Sequence, residues 1–149
     1  MPSTDYDIRM LNDLIEATLD SADGYAEAAK DSSRFAEMFA ARSSERRAAA
    51  AVLQEHVATL GGTSPDDGTL LAAAHRLFVN LRQSLGGGDV AVVDEVERGE
   101  DHIKAKFDDA AKDSDISSAT RAVIHQVAGS VQAGHDAMRQ LKHVLHGAA

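Results

Sequence analysis

The sequence predicts an all-α protein, a four-helix bundle of two antiparallel hairpins with an extra short helix in the crossover between them. Three observations lead there. Apolar residues recur at 3.6-residue spacing through long stretches, alternating β-branched runs are missing, and the breaks fall at glycine runs, a proline and capping residues. The apolar share of 44% is mostly Ala, Val and Leu, with four Phe, two Tyr and no Trp, which suits closely packed helices. At 149 residues, positions 1–149 read as one domain with a single core.

The first helix is expected from about Asp5 to Ala29, with Ile8, Leu11, Ile15, Leu19, Ala22 and Ala26 inward. Ser32 or Ser33 is positioned to cap a second, carrying Phe35, Met38, Ala41, Ala49, Val52 and Leu60 and stopping at Gly61-Gly62. The segment Thr63-Ser-Pro-Asp-Asp-Gly68 is a loop by composition. A shorter third helix, roughly Thr69 to Leu85, bears Leu70, Ala74, Leu77, Phe78, Leu81 and Leu85 and ends at Gly86-Gly87-Gly88. Asp89 caps the fourth, which runs to about Lys112 on Val93, Val96, Ile103 and Phe107. The fifth opens at Asp115 and continues to about His146, with Ile116, Thr120, Val123, Val127, Val131, Met138, Leu141 and Leu145 inward.

Four long helices with a short one between the second and fourth match the ferritin-like topology, two hairpins joined by a long crossover. A faint repeat agrees with it: Tyr25 to Ser32 resembles Phe107 to Ser114, relating the first helix of each hairpin.

Charge and residue usage exclude several functions. With a net charge of −9 and a pI near 5.1, most of the surface repels nucleic acid and anionic membranes. The chain has no cysteine, which removes thiolate nucleophiles, disulfides and iron–sulfur clusters. No stretch approaches the roughly 20 apolar residues of a membrane span. Asp5, Asp7 and Asp13 break up the start of the sequence, which lacks the basic and apolar regions of a secretory leader, so a cytoplasmic location is expected. There is no Gly-x-Ser-x-Gly elbow, and Gly86-Gly87-Gly88-Asp89 is not followed by the Lys-Ser/Thr of a phosphate loop.

Two glutamates fall inside apolar stripes. At about 100° per residue, Glu45 lines up with Met38, Ala41, Ala49, Val52 and His56, and Glu100 stands between Val93, Val96, Ile103 and Phe107. Glu16, Glu55, Glu95 and Glu97 read as surface charge. The matching inward polar residues of the other long helices are Thr18 and His135. A di-iron bundle takes a Glu from one helix of each hairpin and a Glu-x-x-His pair from the other. Here the pairs are Glu45-x-x-Ala48 and Gln132-x-x-His135, and Thr18 stands where the remaining Glu would be.

Two carboxylates are too few to neutralise a bridged di-iron centre. Glu45, Glu100 and His135, helped by His56, would suffice for one divalent ion such as iron, manganese or zinc. The competing reading is a relic polar layer, its glutamates protonated or paired with Arg42, Arg46, Arg47 or Arg98. His143 and His146, with Lys142, suit the end of a helix without a metal.

The combination of Leu11-Asn-Asp-Leu-Ile-Glu16 with Asp20 and Gly24-Tyr25, Leu60-Gly-Gly62, and Glu95-Val-Glu-Arg-Gly-Glu-Asp101 resembles a bacterial ferritin-like family of unknown function, from about Asp5 to Leu145. The resemblance implies a ferritin-like or rubrerythrin-like bundle and an association with stress responses. It brings no established activity. In catalytic ferritin-like relatives a Gly-Glu step supplies a ligand, which Gly99-Glu100 matches. The expected function is therefore a stress-associated, non-catalytic structural or interaction protein with a degenerate metal site. It is expected to be a homo-oligomer, with the stripe of the third helix available for docking another copy. The competing expectation is a metal-dependent oxidase or peroxidase, or an iron-binding protein, using a rearranged carboxylate/histidine site.

Overall fold

A computed structural model describes residues 3–66 and 88–147. The described residues form four α-helices and no strand: α1 (Thr4–Asp31), α2 (Ala36–Thr59), α3 (Asp89–Lys112) and α4 (Ser118–Gly147). These are the four long helices of the sequence reading. The short helix expected between Thr69 and Leu85 lies outside the described residues.

Local chemistry sets the helix ends. Ser3 caps α1, its hydroxyl accepting from the Tyr6 N–H at 3.1 Å. Ser32 closes that helix instead of capping the next one, donating its N–H to the Ala28 carbonyl. Its hydroxyl then accepts from the Phe35 N–H and donates to Asp89. α2 stops as expected at Gly61-Gly62. Gly61 has φ +83°, and the N–H groups of Gly61 and Gly62 return to the Ala58 and Val57 carbonyls. The N-cap of α3 is Gly88, one residue before the expected Asp89, whose carboxylate is taken up by Ser32 and the Ser33 N–H.

Hydrogen bonds also tie distant parts of the helices. Near the start of α1, Asn12 donates to the Thr63 carbonyl just beyond α2, and the Tyr6 hydroxyl donates to Asp113 at the end of α3. At the other end of α1, Ser32 meets Asp89 at the start of α3. In the middle, the Ser43 hydroxyl donates to the Ala22 carbonyl.

The apolar core comes in two blocks. One gathers Leu11, Ile15, Leu53, Val57, Phe107 and Ile124, the other Tyr25, Phe39, Val93, Val96 and Met138. Every helix contributes to both. Between them each helix presents polar or minimal side chains: Ser21, Arg46, Glu100 and Gly134. A polar layer thus divides the core across its middle.

The inward faces of α1, α3 and α4 largely follow the expected stripes, but α2 does not. Its buried residues are Phe39, Ser43, Arg46, Ala49, Ala50, Leu53 and Val57. The expected stripe through Met38, Ala41, Glu45, Val52 and His56 is therefore displaced by one residue along most of the helix. The shift has a plain cause. The run from Ala48 to Ala51 can pack on any side, and two polar residues, Ser43 and Arg46, occupy the face that is buried.

Candidate functional site

The centre of the bundle is an ion pair. Arg46 of α2 and Glu100 of α3 each expose 1% of their side chains and meet through two parallel hydrogen bonds, Nη1 to Oε1 at 2.7 Å and Nη2 to Oε2 at 2.6 Å. Two-pronged pairing matches the planar guanidinium to the planar carboxylate and satisfies both. Arg46 Nη1 also donates to Ser21 Oγ at 2.8 Å, and its Cζ lies 5.6 Å from the centre of the Tyr25 ring, a cation–π distance. Burial, then the nearby Glu100 charge, raise the pKa of the Tyr25 hydroxyl far above the ordinary value. That hydroxyl is close enough to feel the carboxylate yet makes no hydrogen bond of acceptable geometry.

Gly134 on α4 makes room for the pair. A Cβ there would lie 2.4 Å from Arg46 Nη2 and 3.3 Å from Glu100 Oε2.

The four expected ligands are not brought together. Glu100 is buried as expected, but its two oxygens are engaged by arginine. Glu45 is the correction on α2: its side chain is 54% exposed and pairs with Arg42 at 2.7 Å, because the one-residue shift turns it outward and turns Arg46 in. Thr18, inward as expected, spends its hydroxyl on the Leu14 carbonyl.

His56 belongs to another site. Its Nε2 is 3.0 Å from Thr120 Oγ1, and that hydroxyl donates to the buried Asp7 carboxylate. With its single proton given to Asp7, Thr120 accepts from His56 Nε2–H. Asp7 also takes the Ser117 hydroxyl and N–H where α4 begins, which places a negative charge at a helix N-terminus.

His135 lies beside the ion pair, next to Gly134, but faces the other way. Its Nε2 is 2.7 Å from Asp101 and its Nδ1 3.3 Å from Asp136. Burial opposes its charged form, yet the hydrogen bonds to Asp101 and Asp136 and their negative charges outweigh burial and raise its pKa. Glu97, expected on the surface, is buried and joins this group, its oxygen 3.3 Å from Lys142 Nζ. Oxygen atoms of Glu97 and Asp101 and a nitrogen of His135 all lie within 4.8 Å of one another. The spacing of Glu97 and Asp101, four apart on one helix face, was the signal available in the sequence.

These features define an all-α bundle protein whose middle is locked by an arginine–glutamate pair and which carries a histidine–carboxylate cluster at its side. The chain belongs to the family described as Domain of unknown function (DUF2383), whose model matches residues 7–113. The match takes in Arg46 and Glu100 and ends before Gly134 and His135. No curated protein matches the chain. Among the described residues, no helix is long and apolar enough to cross a membrane.

Proposed function

We propose that the protein is a non-catalytic structural or interaction protein built on a ferritin-like bundle, in which the Arg46–Glu100 pair fills the place of a former metal centre. The single observation behind this reading is the two-pronged contact between those side chains in the polar layer. An arginine supplies the positive charge that a cation would otherwise bring to Glu100, and it occupies the space between the helices.

The ferritin-like arrangement is supported by the order of contacts. Residue numbers fall along α2 and α3, and rise along α1 and α4, on going from the Leu11 block to the Tyr25 block. That order fits two antiparallel hairpins, α1 with α2 and α3 with α4. α2 ends beside Ile8, near the start of α1, whereas α3 begins beside Ser32 at the end of α1. A long crossover accounts for that displacement. A stress-associated role in the bacterial cytoplasm and a homo-oligomeric state complete the proposal; they rest on the family resemblance and on the apolar residues of the sequence between Thr69 and Leu85.

The test is aerobic oxidation of iron(II) followed by absorbance. The wild-type protein is expected to match the protein-free rate. A rate above that background which Glu100→Gln abolishes would overturn the reading in favour of an oxidase centre.

A further inference from the structure

We propose that Glu97, Asp101 and His135 form a site for one divalent transition-metal ion of the zinc class, with water completing its shell. The inference is independent of the reading of the bundle centre, since neither Arg46 nor Glu100 takes part.

Three observations support it. The first is the donor set: one imidazole nitrogen and two carboxylates converge within 4.8 Å. Zinc, iron(II) and manganese(II) accept such a mixture, whereas calcium and magnesium favour all-oxygen shells. Two like charges one helical turn apart repel, and a divalent cation between them removes the repulsion.

The second is the support behind the histidine. Nδ1 of His135 faces Asp136, which in turn accepts from Gln132 Nε2 at 2.8 Å. Neither Asp136 nor Gln132 is in the ligand set. A carboxylate that accepts the Nδ1 proton fixes the ring's orientation, the arrangement seen behind metal-binding histidines. The Nε2–H, which donates to Asp101 at 2.7 Å, releases its proton when the ion comes between the two.

The third is access. Asp101 is 59% exposed, and Glu97 also lines a cleft of about 500 Å³ with Arg139, Lys142, His143 and His146. Lys142, now paired with Glu97, is 43% exposed and has that open space to swing into when a metal takes its place.

The 149-residue chain, stripped with a chelator, would be titrated with zinc by calorimetry and with cobalt(II) by visible absorbance. One ion per chain is expected. Asp101→Asn, an exposed change that leaves the fold intact, and His135→Gln should each weaken binding at least tenfold. The double variant His143→Gln/His146→Gln, which removes the imidazoles of the cleft, should bind as the wild type does. The proposal is overturned by no binding to the wild type, by unchanged affinity in Asp101→Asn, or by loss of binding in the cleft variant.

Discussion

Glu45 and Glu100 carry the same chemical group and stand in opposite environments, so neutralising them separates the two. Glu100→Gln leaves the buried Arg46 with half its partner, and stability should fall by about 3 kcal/mol, within the range for breaking a buried pair. Glu45→Gln removes an exposed contact with Arg42 and should shift stability by less than about 0.5 kcal/mol. Urea denaturation of the two variants beside wild type measures both. Gly134→Ala should cost about 1–3 kcal/mol, because its methyl enters the space held by the guanidinium. In a background carrying Arg46→Met and Glu100→Leu that cost should shrink, since residues sharing a contact are not additive.

The helices themselves were legible from periodicity, and Glu100 was legible with them, because α3 carries strongly apolar Val93, Val96, Ile103 and Phe107 on either side of it. α2 was harder. Its alanines fix no face, and the helix buries Ser43 and Arg46, which a search for apolar stripes rejects. One residue of displacement is about 100° of rotation, enough to exchange Arg46 for Glu45. The burial of Glu97 was illegible for a related reason, since its partner, Lys142, comes from α4 and not from its own helix. Tertiary partners also set where α4 begins. Asp7 of α1 accepts from the Ser117 N–H and the Ser117 and Thr120 hydroxyls, so a residue more than a hundred positions away anchors that end. Asp7→Ala strands the buried Thr120 hydroxyl and the half-buried Ser117 donors and should cost roughly 2–3 kcal/mol, read from denaturant midpoints.

Across the whole molecule, pH acts through a contact that joins the start of α1 to the end of α3. The hydroxyl of Tyr6 donates to Asp113, holding the Asp113 carboxyl below its ordinary pKa and raising that of the Tyr6 phenol. The depressed carboxylate contributes stability above about pH 3.9, and that contribution is lost as pH falls through its folded value. The raised phenol contributes below about pH 10, and its share is lost as pH rises through its own folded value. Tyr6→Phe should therefore lower the melting temperature by a nearly constant amount through the neutral range, with the deficit shrinking below about pH 4. Melting curves across pH check it.

The two-pronged contact at the middle of the bundle joins residues 54 positions apart, one from each side of the 67–87 segment. If the polypeptide were severed there, the first piece would keep a cation and the second an anion on surfaces that had been dry. Each would draw water to the place where the two apolar blocks meet. Neither fragment is equipped to be a self-sufficient folding unit, and the halves are obliged to form together.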